Sequence, residues 1–340
     1  MPQGRRIGRS RVQVSALGFG AAPLGNLFAE VGDVQAREAV DAAWGAGVRH
    51  FDTAPHYGLG LSERRLGDAL SGRPRAEFAV STKVGRLLRA LPETSGDDLS
   101  DGFAVPRTHE RVWDFSAHGV RASLEASLTR LGLDHVDIVY LHDPDDHERE
   151  AFDAAYPELE RMRAEGLVGA IGAGMNQAAM LERFVRDTDV DVVLLAGRYS
   201  LLDQSGLAGL LPEAARRGVS VVAGGVFNSG LLADPRPGAT FDYAPAAPEL
   251  LDRALRMRAV CEAAGVPLRA AALRFPFGHP AVAGVLVGAR SAAEIGDAAA
   301  LLRTPVPAAL WAALRAEGLL PPDVPVPTSD QPDEQAKEPS

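Results

Sequence analysis

The chain is poor in three things, and each lack closes off a class of function. It has one cysteine, Cys261, in 340 residues, so it forms no internal disulfide and a reducing cytoplasm is the expected location. It has no run approaching the ~18 consecutive apolar residues of a membrane-spanning helix. It also lacks a positive excess. Lys and Arg number 35 against 45 Asp and Glu, a formal net charge of −10, whereas a nucleic-acid surface needs a basic field to meet phosphates. Part of the acidity collects at the C-terminus, where Asp323, Asp330, Asp333, Glu334 and Glu338 stand against Lys337. Arg5-Arg6 mimics a twin-arginine export signal. The stretch after it alternates at Val12, Val14 and Ala16 and is cut by Gly18, Gly20 and Pro23, which suits a strand better than a signal helix.

What the chain has is 46% hydrophobic residues, enough for one large core, laid out as a regular alternation. Short β-branched runs near Leu17, Val48, Phe78, Val136, Val168, Val190, Val219 and Val282 each precede a stretch of helical spacing. In the first such helix Asp33 is the cap, Ala36, Val40, Ala43 and Trp44 share a face, and Gly47 closes it. Further helices are expected over 63–70, 120–131, 152–164, 178–185, 207–216, 250–264, 268–275, 291–302 and 305–314. Eight strand–helix units without a linker between halves imply parallel pairing and a closed (β/α)8 TIM barrel, rather than an open doubly wound sheet. A small hairpin is expected within residues 4–14. Residues 85–115 are polar and aperiodic and are expected to form a long functional loop. The barrel domain is assigned to residues 1–318 and a disordered, Pro-rich acidic tail to 319–340.

The stretch RHFDTAPHYG, residues 49–58, places Asp52 at the tip of the second strand and Tyr57 just beyond it. The third strand ends at Lys83 and the fourth at His142. In a closed barrel the C-terminal strand ends share one mouth, which is where barrel enzymes keep their chemistry. A Lys ammonium beside a phenol stabilises the phenolate, and a carboxylate holds the Lys charged and in place. An imidazole can orient a substrate oxygen. Such a set suits proton transfer coupled to hydride transfer on an alcohol or carbonyl, with a cofactor as hydride partner. Each residue alone has a structural explanation: a rim salt bridge for Asp52 and Lys83, a turn residue for Tyr57, a backbone hydrogen bond for His142. The four together favour function. His56, next to Tyr57, and Trp113, in the long loop, are candidate substrate contacts; His50 reads as a satisfied core histidine.

A dinucleotide is expected across the later strand ends. Gly224-Gly225 and Asn228-Ser229-Gly230 follow the seventh strand. Gly288-Ala289-Arg290-Ser291 follows the eighth and runs into a helix N-terminus, a ready anion site. Gly18-Phe19-Gly20 resembles part of a dinucleotide-binding fingerprint but opens no helix. Ser291 and Glu294 fit a capping box. A carboxylate there would also repel a ribose 2′-phosphate and favour NAD over NADP, with Arg290 pulling the other way. The His142–His147 stretch, rich in acids, reads as a solvated loop, and no metal is expected.

These residues resemble the aldo-keto reductase superfamily, whose Asp, Tyr, Lys and His tetrad matches Asp52 in FDTAPHYG, Tyr57 in the same stretch, Lys83 in STKVG and His142 in YLHDP. The resemblance runs from about residue 12 to 314. It implies a (β/α)8 barrel, a nicotinamide cofactor (NAD or NADP) and no metal. LLAGRYSLLDQ from Leu194 and VVAGGVFNSGLL from Val221 are similar to the branch of L-fucose (D-threo-aldose 1-) dehydrogenases. By position the resemblance implies a carboxamide-binding role for Asn176, with Met175 where many members have Ser. Ala196 replaces a common Gln, and Arg198 follows it. Gly225, Phe227, Ser229, Gly230, Gly288, Arg290 and Glu294 are the further cofactor contacts it implies. Ala223 and Gly224 occupy the place of a nicotinamide-stacking aromatic, Ala289 that of a Lys, and Glu294 falls near an Arg of NADP-preferring members. The implied activity is oxidation of an aldose at C1 to the lactone, in a monomer or small homo-oligomer acting on a small molecule. The alternatives are pyridoxal 4-dehydrogenase activity, NADPH-dependent aldehyde reduction, or a redox-sensing cofactor-binding protein without turnover.

Overall fold

The computed structural model describes residues 4–94 and 96–328. Eight parallel strands close into a barrel in chain order. They are β1 (Leu17–Gly20), β2 (His50–Asp52), β3 (Ala79–Val84), β4 (Val136–His142), β5 (Val168–Met175), β6 (Val192–Ala196), β7 (Ser220–Gly224) and β8 (Val282–Gly288). The ring closes where β8 pairs with β1, Val285 opposite Leu17. Helices α1 (Asp33–Gly45), α2 (Leu61–Leu70), α3 (Ala117–Leu131), α4 (Tyr156–Ala164), α5 (Ala178–Asp187) and α6 (Leu210–Arg217) alternate with the strands. Two helices follow β7, α7 (Pro248–Ala263) and α8 (Leu268–Arg274), and α9 (Ala292–Arg303) and α10 (Ala308–Ala316) complete the ring. This is the (β/α)8 fold that the alternation predicted.

The period of two along each strand sorts the side chains into two layers. On β3, Val80 and Val84 belong to the large cluster shared with the helices, while Ala79 belongs to the inner one with Ile138, Tyr140, Val192, Leu194 and Val222. Ser81 and Lys83 share the parity of Ala79, and so do His50 with Asp52 on β2 and Tyr140 with His142 on β4. The inner column therefore runs from apolar at the strand starts to polar at the C-terminal ends. The hairpin Arg5–Arg6/Gln13–Val14, expected from the sequence, closes the N-terminal end with Ile7 and Val14, both in the inner cluster. On the outer layer Thr82 Oγ1 donates to Glu63 Oε1 at 2.8 Å, and Arg130 Nε donates to Glu63 Oε2 at 2.5 Å, which ties α2 and α3 to β3.

Two regions differ from expectation. Residues 85–115 form two antiparallel ribbons, Arg86–Ala90 with His109–Trp113 and Asp97–Asp98 with Phe103–Pro106. The first ribbon has no fully buried residue on either strand, so no hydrophobic alternation marks it in sequence. At the other end of the chain, Leu319, Leu320 and Val324 are buried, and Arg315 donates to the Val324 carbonyl at 2.7 Å. The expected tail thus begins with a stretch packed on the barrel; its residues 329–340 lie outside the described ones. Among the described residues, no helix is long and apolar enough to cross a membrane.

Candidate active site

The four tetrad residues meet at the C-terminal mouth of the barrel. Lys83 Nζ donates to Asp52 Oδ2 at 2.7 Å and to the Thr53 carbonyl at 2.9 Å, with the two side chains 3% and 5% exposed. Below them Ser81 Oγ donates to Asp52 Oδ1 at 2.7 Å, and His50 Nε2 lies 3.1 Å from Ser81 Oγ. Above them Lys83 Nζ lies 4.7 Å from the centroid of the half-buried Tyr57 ring. The His142 ring stands edge-on to Tyr57 at 6.0 Å, and His56 is 5.7 Å from His142.

Burial acts on these groups in opposite senses. It works against the Lys83 ammonium, but the charges and hydrogen bonds of Asp52 and Tyr57 outweigh it and hold Lys83 above its usual range. Burial raises the Tyr57 phenol, and Lys83 pulls it back by charge and by a hydrogen bond. The first effect is the larger, so the depression expected from Lys83 alone is masked. His142 is driven well below the usual imidazole range by burial, with Arg86 and Lys83 adding to it, and His56 falls to about 2 by burial and the same kind of neighbours. Both imidazoles are neutral. His142 Nδ1 is buried with no hydrogen-bond partner among the described residues.

The ribbons of residues 86–113 hold the loop that carries Tyr57. Arg111 donates to Asp98 Oδ1 and Oδ2 at 2.7 and 2.5 Å and to the His56 carbonyl at 3.0 Å. The His56 and Tyr57 rings both lie against Phe103, at 5.2 and 6.1 Å. Trp113 is 44% exposed; Arg86 stacks on its ring at 4.2 Å and His147 lies 5.3 Å away. Arg86 is ion-paired with Asp143, the residue after His142. Neither was expected from sequence, although an Arg three residues beyond a strand-end Lys was a signal that could have been read.

The expected cofactor residues divide into three groups. Asn176 lies one residue beyond β5, partly exposed, and its carboxamide has no partner among the described residues, which suits recognition of another amide. Gly225 has φ +62° and Gly288 is exposed, so bare backbone lies open after β7 and β8. Beside Gly288, Ser291 Oγ accepts from the Glu294 amide at 3.2 Å, the serine half of the expected capping box, while Glu294 Oε2 accepts at 2.8 Å from the amide of Arg290, one residue before the cap. This donor set fits a nicotinamide dinucleotide.

A second group is committed elsewhere. Arg198 is paired with both carboxylate oxygens of Asp242, at 2.9 and 2.7 Å. Ser229 Oγ accepts from the Tyr243 amide at 3.1 Å, and Gly230 bridges to Thr240. Asp242 and Tyr243 form the turn of a short hairpin, Thr240–Phe241/Ala244–Pro245, that sequence reasoning missed. The third group packs inward: Met175 is 2% exposed, which leaves its side chain little free surface, and the partly buried Phe227 packs against the main hydrophobic cluster.

A parallel barrel with a buried Lys–carboxylate pair under a phenol at its C-terminal mouth defines a class, the barrel oxidoreductases that work with a nicotinamide cofactor. The model of the aldo/keto reductase family matches residues 16–317, and the chain belongs to that family. It is 47% identical over 313 residues to a D-threo-aldose 1-dehydrogenase from Pseudomonas sp., covering 91% of this chain and 95% of that one. It is 39% identical over 334 residues to a pyridoxal 4-dehydrogenase from Microbacterium luteolum, covering 93% and 97%. The holo form of an aldo-keto reductase from Bacillus halodurans superposes with a TM-score of 0.75 at 25% identity, over 97% of this chain and 99% of that one. The protein is an NAD(P)-dependent oxidoreductase.

Proposed function

We propose that the protein oxidises an aldose of the D-threo or L-fucose type at C1 to the corresponding lactone, with NAD as hydride acceptor. The observation that carries the chemistry is the buried Lys83–Asp52 pair, 2.7 Å between charged atoms, set beneath the half-buried Tyr57 phenol. The likeness to the D-threo-aldose 1-dehydrogenase supports the substrate.

In this reading the bound nicotinamide supplies the acceptor for the hydride that leaves C1 of the sugar. Tyr57, as the phenolate, takes the proton from the anomeric hydroxyl while the C1–oxygen bond becomes a carbonyl. Lys83 stabilises the phenolate by charge, and Asp52 keeps Lys83 protonated and aimed at it. His142, neutral and adjacent, donates a hydrogen bond that fixes the reacting oxygen between itself and Tyr57. Asn176 would hold the carboxamide of the cofactor. Glu294 beside Arg290 favours a free ribose hydroxyl over a 2′-phosphate.

The test is a panel of L-fucose, D-arabinose, L-galactose and pyridoxal, each with NAD and NADP. Sugar oxidation with NAD supports the reading, and turnover of pyridoxal alone overturns the sugar assignment. Tight cofactor retention with no turnover of any substrate would instead make the chain a redox-sensing binding protein.

A further inference from the structure

Neither member of the Arg86–Asp143 ion pair beside His142 hydrogen-bonds a tetrad side chain. Along a regular strand, the residue after an inward-facing His142 would point out toward the helices. Asp143 does not continue the strand: its backbone is left-handed, with φ +44°, and its amide donates to the Gly174 carbonyl at 3.0 Å. That twist brings Asp143 Oδ2 to 3.6 Å from His142 Nε2. Arg86 reaches the same oxygen from the outgoing end of β3. Its guanidinium lies over the Trp113 ring, and its Nε is buried without a partner among the described residues. The carboxylate is one-third exposed, and its Oδ1 takes no hydrogen bond from the described residues. One oxygen that can only accept and one guanidinium that can only donate thus stand together beside the tetrad.

We propose that Asp143 and Arg86 form a subsite for the hydroxyl group on the carbon next to the reacting carbon, so that the enzyme selects 2-hydroxylated carbonyl compounds and their hemiacetals over simple aldehydes. This rests on the sugar-oxidation reading above. The Asp143 carboxylate lies 3.6 Å from the imidazole Nε2 that would hold the reacting oxygen, so a hydroxyl on the adjacent carbon falls within its reach. A carboxylate demands a proton from its ligand, which the sugar ring oxygen lacks and the C2 hydroxyl has. The same hydroxyl oxygen retains lone pairs for the guanidinium. A substrate without that hydroxyl would displace water from two charged groups and give nothing back, which is how a polar site rejects an analogue.

The experiment compares kcat/KM for L-fucose and for its 2-deoxy analogue in the wild type, in Asp143→Gly and in Asp143→Asn. Glycine removes the carboxylate and accepts the left-handed backbone; asparagine keeps shape and backbone and removes the charge. The wild type is expected to prefer L-fucose by about 10- to 100-fold, the range for losing a hydrogen bond to a charged group. In Asp143→Gly the preference falls to about threefold or less, through loss of L-fucose turnover and not through gain elsewhere. In Asp143→Asn it is intermediate, which keeps the test alive should the glycine variant fold poorly. A preference unchanged in both variants, with L-fucose still oxidised by the wild type, overturns the subsite alone. Absence of any aldose oxidation in the wild type overturns the sugar reading and the subsite with it.

Discussion

Ser81 Oγ donates to Asp52 Oδ1 at 2.7 Å, on the carboxylate oxygen opposite the one that receives Lys83 Nζ at the same distance. Because the single Ser81 proton is given to Asp52, the Ser81 oxygen can only accept from His50 Nε2. Burial holds His50 neutral, near 4, so its one proton must sit on Nε2. Donors therefore converge on Asp52 from both sides, His50 through Ser81 below and Lys83 above, with Lys83 the member next to Tyr57.

Ser81→Ala is expected to act on Tyr57 through Asp52. Without the serine donor, the carboxylate charge is concentrated on the Lys83 side, and Asp52 already raises the phenol. The alkaline-going rise of kcat for oxidation should move to higher pH by roughly half a unit to one unit, the worth of one net hydrogen bond. Cofactor affinity should be unchanged. A pH profile identical to wild type would leave Ser81 as packing.

Tyr57→Phe removes the proton carrier and keeps the ring that packs 6.1 Å from Phe103. Turnover should fall by roughly 10²- to 10⁴-fold, the usual contribution of a general acid–base group. Binding of the cofactor, followed by fluorescence titration, should persist. Retained turnover would remove Tyr57 from the reaction.

Glu294 accepts from the Arg290 amide, and its second oxygen lies 3.4 Å from Arg290 Nε. Glu294→Gln leaves an oxygen for the cap and removes the charge. The affinity ratio of NADP to NAD should rise by about two- to fivefold at low salt, in line with an exposed charge interaction, and by less at high salt. Equal ratios in both proteins would make Glu294 a helix cap and nothing more.

The later strands β4, β6, β7 and β8 were legible because each is a compact β-branched run, as a strand buried on both faces requires. The tetrad was legible because its members are the last residues of such runs or lie just beyond them. Arg86 and Asp143 were not. They are 57 positions apart in sequence, and what joins them is the left-handed turn at Asp143, which an Asp can adopt without any mark in composition. The partnership of Arg198 with Asp242 was hidden in the same way, since a two-residue hairpin strand has no periodicity to detect. Met175 was misleading for a simpler reason: its neighbour Asn176 leaves the barrel while Met175 is still the last residue of β5.

The buried imidazoles also set a limit on stability in acid. His50 titrates near 4 in the fold against an ordinary 6.5, because protonation would place a charge in the sealed column under Asp52. Between those values the unfolded chain binds a proton that the folded chain refuses, so the free energy of unfolding falls as the pH drops below about 6.5. The loss from His50 alone is complete near pH 4 and amounts to about 3 kcal/mol. His56, at about 2, begins to cost stability at the same pH and continues lower. His50→Gln keeps an amide donor toward Ser81 and cannot be protonated. Urea midpoints measured from pH 7 to pH 4 should therefore fall less steeply in this variant than in the wild type, by the share of one proton. Equal slopes would mean that His50 takes up its proton as readily in the native state as in the unfolded chain.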